Sequence, residues 1–344
     1  MKINYEQYRY SETRTVNIKM FTPDDENTDR YVIVLHGFAD SMESAVIHAL
    51  AVNLSRCNTA VLAFNYAGHG NDEQDALFSM ETCLRDFKHV TEFAIQRWPG
   101  AVWGGVFATG FGGYLVLNAL DIIPESVNIV LHSPAVYMSD VFERIVNETD
   151  GRMDAYADKG FVTLGFPHKL NVPYLFYQEL RAHNTFLTRF DREMLLINGT
   201  KDEIVLRQDV SVFCLCNSQI KHCEIEGAGH RMQTPSEISE LMKHSCPHLL
   251  KNMSLRNLPD KNDCVYEADE DQHVCASCMY WGTERGYNCT AYGDYAIFCH
   301  DSICLHPEQY KKAVRSRFGC PNWTKACETC AAEFNYKSWN DGWD

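Results

Sequence analysis

The sequence is short of positive charge. Its 31 Lys and Arg stand against 46 Asp and Glu, a formal net charge of -15 over 344 residues. A chain that grips a phosphate backbone needs an excess of Lys and Arg, so general nucleic-acid binding is excluded. The one local basic cluster, Lys311 to Arg317, reads as a solvated helix face. Long apolar runs are missing too: none reaches the roughly 18 residues that a membrane helix needs. The opening stretch MKINYEQYRYSETRT is polar and aromatic. It has no apolar core of the kind a secretory signal carries, so the expected location is cytoplasmic. Cysteine is sparse over most of the chain. Six of the 15 lie in the first 250 residues, and nine crowd between Cys264 and Cys330. That break in composition falls across residues 251–263, a polar stretch containing Pro259 that suits a linker.

What is present upstream of the linker is an alternation. With 45% hydrophobic and 22% charged residues, the composition is that of an ordinary globular protein. RYVIVLHGF (Arg30 to Phe38) is a β-branched run ending in glycine, as expected of a strand buried on both faces. TAVLAFNYAGHG, GGVFATG, VNIVLHSPA, EMLLINGT and KHCEIEGAGH read as further strands. SMESAVIHALAVNLSR, METCLRDFKHVTEFAIQRW and SEISELMKHSCPHLL show helical spacing between or after them. Strands alternating with helices predict an α/β fold: a mostly parallel sheet covered on both faces, with its sites at the carboxyl ends of the strands. Residues 136–190 interrupt the alternation with an aromatic-rich insertion. It is expected to lie over that edge as a cap with a covered apolar pocket.

One absence bears directly on chemistry. The strand–turn–helix GGVFATGFGGYLVLNAL (Gly104 to Leu120) has the form of a nucleophile elbow, G-x-S-x-G. The matching residues are Ala108-Thr109-Gly110-Phe111-Gly112, so Gly110 stands where the serine should be. Downstream, Asp202 follows one strand and His230 follows the last, in the order nucleophile turn, acid, histidine. The segments VIVLHGFADS, AFNYAGHGND, FATGFGGYLVLNAL, LLINGTKDEIV and IEGAGHRM together resemble the α/β-hydrolase family over about residues 15–250. Within it, the chain looks most like the serine aminopeptidase, monoacylglycerol-lipase and feruloyl-esterase-like group.

The resemblance implies an α/β-hydrolase fold, with roles assigned residue by residue. Asp202 would orient His230, and His230 would be the general base. The backbone N–H groups of Phe38 and Phe111 would form the oxyanion hole. Gly110 departs from the pattern: without a hydroxyl there is no acyl-enzyme intermediate. The sequence therefore predicts a hydrolase-like protein that binds a small-molecule, acyl or peptide ligand without cleaving it. Two other readings stay open. One is an ester or peptide hydrolase, with its natural serine replaced or with His230 activating water; the other is an interaction protein acting through its tail. Thr109 is expected to point away from the site. Ser133 reads as a turn residue, Cys83 as core, and His36 and His69 as structural.

The region 264–344 reads as a separate cysteine-rich module that binds metal. Its C-x-x-C pairs are Cys275/Cys278 and Cys327/Cys330. With Cys289 and Cys299, and with Cys304 and Cys320, they can close two four-thiolate sites, leaving Cys264 over. Zinc is the expected occupant; disulfides or an iron–sulfur cluster would use the same sulfurs. His300 or His306 could replace a thiolate, and a protein partner could dock on the tail's aromatics.

Overall fold

The computed structural model describes residues 1–23, 28–149, 152–165 and 169–251, and the backbone of five short strands farther on. The chain divides into two compact units, Met1–Asn252 and Met253–Asp344.

In the first unit the strands are β1 (Lys2–Arg9), β2 (Thr15–Thr22), β3 (Arg30–Leu35), β4 (Thr59–Phe64), β5 (Val102–Thr109), β6 (Asn128–His132), β7 (Phe161–Leu164), β8 (Leu170–Pro173), β9 (Met194–Gly199) and β10 (Ile220–Ile225). The helices are α1 (Ala45–Ser55), α2 (Met80–Arg97), α3 (Phe111–Leu117), α4 (Met138–Thr149), α5 (Met153–Lys159), α6 (Tyr174–Ala182), α7 (Arg207–Cys216) and α8 (Pro235–Leu250). Eight strands make one sheet in the order β1-β2-β4-β3-β5-β6-β9-β10. From β4 to β10 all neighbours run parallel, while β1 and β2 join antiparallel at one edge. This is the α/β-hydrolase architecture.

The central strands form because their residues are wanted on both faces. Every residue of β3 and β4 is buried. Ile33 and Leu35 enter the core shared with Phe87 and Val90 of α2 and Leu115 of α3. Val32 and Val34 enter the opposite core, shared with Leu50 and Leu54 of α1 and Leu241 of α8. Helix starts are set by polar side chains. Ser79 accepts the Thr82 N–H at 3.0 Å before α2, and Thr234 with Glu237 forms a reciprocal capping box before α8, with Pro235 just inside.

The edge strands β1 and β2 were not among the sequence-based assignments. β1 is exposed along nearly its whole length, so it carries no alternating apolar signal. In β2 the signal exists, with Val16, Ile18 and Met20 buried at every second position. Between these strands Arg14 is buried and forks to Asp86 and Asp72. That network ties the edge of the sheet to α2 and to the loop after β4.

The insertion between β6 and β9 contains α4, α5, the antiparallel hairpin β7–β8, and α6. Its aromatic rings seat it on the sheet edge. Phe176 packs 6.2 Å from Phe38, 5.6 Å from Phe111, 4.5 Å from Phe78 and 5.5 Å from Phe142, centroid to centroid.

In the second unit β11 (Val265–Tyr266), β12 (Gly286–Thr290) and β13 (Gly293–Ile297) form an antiparallel sheet with β13 in the middle. β14 (Asp301–Ile303) pairs antiparallel with β15 (Ala313–Arg315). The basic cluster is thus extended at Ala313–Arg315, not helical as expected: pairing with β14 overrides its helical spacing. The side chains of Cys275, Cys278, Cys289, Cys299, Cys304, Cys320, Cys327 and Cys330 lie outside the described residues. Among the described residues, no helix is long and apolar enough to cross a membrane, and no group of three or more His, Cys, Asp and Glu is placed to hold a metal.

Candidate active site

The site stands where the strand order reverses, at the carboxyl ends of β3 and β5, with β4 on one side and β6 on the other. After Thr109 the chain turns sharply at Gly110, with φ 52° and ψ -113°, and enters α3 directly. This backbone conformation is costly for any residue with a Cβ. The turn is tight because glycines follow at 112 and 113, after Phe111. A Cβ on Gly112 would lie 2.5 Å from the Leu35 carbonyl oxygen, and one on Gly113 would lie 2.7 Å from Pro134 Cβ. The strand, sharp turn and helix of an elbow are thus all present, with a glycine at the tip.

Asp202 and His230 come together from the turns after β9 and β10. His230 Nδ1 donates to the Asp202 carboxylate, 3.0 and 2.9 Å from its two oxygens. Asp202 Oδ1 also accepts the backbone N–H groups of Ile204 at 3.0 Å and Val205 at 2.8 Å. Burial pushes this carboxyl's pKa up. The hydrogen bond and charge of His230, with the two backbone N–H groups, outweigh burial and hold it below the usual value. An ionised Asp202 places the neutral ring's proton on Nδ1 and leaves Nε2 as the basic atom. Nε2 faces the elbow: a Cβ on Gly110 would sit 3.4 Å from it and 3.7 Å from Gly37 Cα. Glu203, adjacent to Asp202, accepts the His230 backbone N–H at 3.1 Å and so fixes the histidine turn.

Phe38 follows Gly37, and Phe111 follows Gly110; both border the same cavity, with their rings edge-to-face at 6.2 Å. The cavity measures about 500 Å³. Gly110, Thr109, His132, His230, Arg231, Glu203 and Asp40 form its polar end. Met138, Val141 and Ile145 line the cap side, one stripe of α4 at helical spacing, followed by Glu148 and Thr149.

The remaining candidates divide. Cys83 is buried in α2, its thiol pushed up by burial. His36 is buried against Tyr66, with ring centroids 4.1 Å apart. Burial lowers its pKa to about 4, so it is a neutral packing residue. His69 is likewise buried, with Nδ1 3.0 Å from the Ala67 carbonyl oxygen. Ser133 is buried at φ 43° and does not line the cavity; its hydroxyl has no hydrogen-bond partner among the described residues. Thr109 is among the residues that border the cavity, and its hydroxyl lies 3.4 Å from His132 Nδ1. Sequence reasoning missed Asp40, His132, Glu203 and the α4 stripe. The stripe was findable from the i, i+3, i+7 spacing of Met138, Val141 and Ile145; the others carry no local signal.

Comparison with known proteins follows the geometry. Residues 26–179 match the family model described as serine aminopeptidase, S33. No curated protein matches the sequence significantly. A putative hydrolase from Agrobacterium vitis S4 aligns with a TM-score of 0.58 at 16% identity, covering 72% of this chain and 100% of its own. Est1E from Butyrivibrio proteoclasticus, solved with ferulic acid bound, aligns at 0.54 and 18% identity over 69% of this chain and 96% of its own. A soluble variant of monoglyceride lipase from Saccharomyces cerevisiae, in complex with a substrate analog, aligns at 0.55 and 13% identity over 74% of this chain and 97% of its own. At such identities the structural likeness speaks for the fold, and the family model adds a sequence match through the elbow. By sheet order, elbow and acid–histidine pair, the chain has the α/β-hydrolase fold, and over residues 26–179 it is similar to the serine aminopeptidase S33 family.

Proposed function

We propose that the first unit is a small-molecule-binding protein on an α/β-hydrolase frame that does not turn over esters or peptides. The observation that carries this reading is the glycine at the elbow. Gly110 offers no atom to attack a carbonyl, while the Asp202–His230 pair, the Phe38–Phe111 corner and a capped cavity stand around it. Losing the nucleophile of a triad costs on the order of a millionfold in rate, whereas binding contacts survive. The ligand is a small acyl- or peptide-type molecule whose apolar part lies along α4.

A second reading is favoured by the space at Gly110, which opens onto His230 Nε2: a water there could be activated by His230 and attack a reactive ester directly. The same assay separates the two. The protein and its Gly110→Ser variant are given a short-chain aryl ester and a fluorophosphonate probe. The binding reading expects an inert parent. Ester turnover by the parent that His230→Ala abolishes would replace it with the water mechanism. For the tail, the spacing of its C-x-x-C pairs supports two zinc sites and a protein-docking role.

A further inference from the structure

We propose that two copies of this chain pair antiparallel along β1, about a two-fold axis that passes through Asn4 normal to the sheet, so that two eight-stranded sheets become one. β1 lies four strands from β5, and the inference does not depend on the chemistry at Gly110.

β1 is the outermost strand of its sheet. An outer strand presents a row of backbone N–H and C=O groups, and proteins blunt such edges with proline, bulges, short length or a covering element. β1 has none of these. It runs eight residues, in unbroken register with β2 from Lys2 opposite Thr22 to Arg9 opposite Thr15. It contains no proline or glycine, and Lys2 to Gln7 are exposed on both faces. At the opposite edge β10 has six residues, and Arg207 of α7 reaches across to Glu224 with two bonds of 2.6 Å.

The strand is also held in place before any partner arrives. Tyr8 packs against Phe93 of α2, with ring centroids 5.1 Å apart. Tyr10, just beyond the strand, donates to Asp86 at 2.7 Å. Tyr5 donates to Glu43 at 3.4 Å, and Lys19 Nζ stands 5.2 Å from the centre of its ring. Pairing with a strand already fixed loses little conformational entropy.

The side chains select a second copy and its register. A two-fold axis normal to the sheet keeps the faces of the two copies aligned, so facing residues must point to the same side. The axis must then pass through a residue. Centred on Glu6, two carboxylates meet at the axis. Centred on Tyr5, Ile3 faces Gln7 and Lys2 faces Tyr8. Centred on Gln7, Ile3 lies outside the ladder. Centred on Ile3, the ladder shortens and Lys2 faces Asn4. Centred on Asn4, Ile3 faces Tyr5 of the other copy and Lys2 faces its Glu6, each pair occurring twice. Ile3 and Tyr5 are the large apolar side chains that β1 exposes, at 40% and 59%. A β-branched residue opposite an aromatic, and unlike charges opposite each other, are both favoured cross-strand pairs. On β2, Ile3 lies beside Phe21 and Tyr5 beside Lys19, so the row continues through both sheets. Glu6 also meets Arg97 at 3.8 Å, but that pair is exposed and competes weakly.

The ladder takes in Lys2 to Glu6 of each copy, against roughly 20–30 residues a side in a standard interface, so the dimer is a weak one. The test is sedimentation velocity of the full chain under reducing conditions, from about 5 to about 300 µM. The expected result is concentration-dependent growth to twice the mass of the chain. Asn4→Lys sets like charges on the axis and should leave the protein monomeric. Lys2→Glu and Glu6→Lys should each weaken association at least about tenfold. An equimolar mixture of these two variants should restore it, because every facing charged pair is then unlike. Circular dichroism checks that each variant folds. A chain that stays monomeric over the whole range overturns the proposal. A dimer that survives in folded Asn4→Lys also overturns it, because the copies then meet on another surface. Failure of the mixture to associate, when each charge variant alone has dissociated, rules out the register on which the proposal stands.

Discussion

Replacing Gly110 by serine puts one hydroxymethyl group into a prepared place, and the structure says what it should cost and yield. The cost is conformational. At φ 52° and ψ -113° a residue with a Cβ is strained by about 1–3 kcal/mol, and nothing else resists the change, since the nearest atom to the new Cβ is 3.4 Å away. For a unit of this size each kcal/mol lowers Tm by roughly 2–4 °C, so the variant should melt lower and still fold. The yield is chemical. The Cβ arrives in contact range of His230 Nε2, one C–O bond short of a serine–histidine hydrogen bond, and Asp202 already orients the ring from behind. Restoring the nucleophile of a triad can recover on the order of a millionfold in rate, about 8 kcal/mol at 1.36 kcal/mol per decade. The assay is fluorophosphonate labelling of parent and variant, with aryl-ester turnover beside it. Labelling of the variant alone bears out the reasoning. A folded Gly110→Ser that neither labels nor turns over would falsify it, because the acid, base and oxyanion corner would then not form a working set.

Further outcomes follow from the same geometry. In the Gly110→Ser background, Asp202→Asn should lower kcat by about ten-thousandfold by disturbing the His230 tautomer, read from steady-state kinetics. Asp40→Asn should raise Tm at pH 7 and lose that advantage near pH 4. Burial raises this carboxyl's pKa, so its stabilising contribution is present when it is protonated and disappears as pH climbs through the folded value. Arg14→Met should destabilise by about 3–5 kcal/mol in chemical denaturation, because it strands Asp72 and Asp86 without their partner. Phe176→Ala should cost about 3–5 kcal/mol and weaken ligand binding together, since the ring fills the junction between the insertion and the Phe38–Phe111 pair.

The central sheet was legible because parallel strands buried on both faces must be continuous apolar runs, and RYVIVL and TAVLAF are such runs. The elbow was legible because a sharp strand-to-helix turn leaves room only for small residues, and Ala108, Gly112 and Gly113 supply them. That no hydroxyl stands at position 110 is a fact of sequence alone. Local pattern could not decide what depends on distant segments meeting. β1 owes its place to backbone pairing with β2 at a solvated edge, so its side chains carry no record of it. Glu203, Asp40 and His132 become part of the site only when the ends of β9, β3 and β6 converge on one cavity. That Gly110 leaves an open space facing His230 Nε2, and not a collapsed turn, was likewise settled in three dimensions. Close packing of Gly112 against the Leu35 and His36 carbonyl oxygens, and of Gly113 against Pro134, holds the turn in this shape.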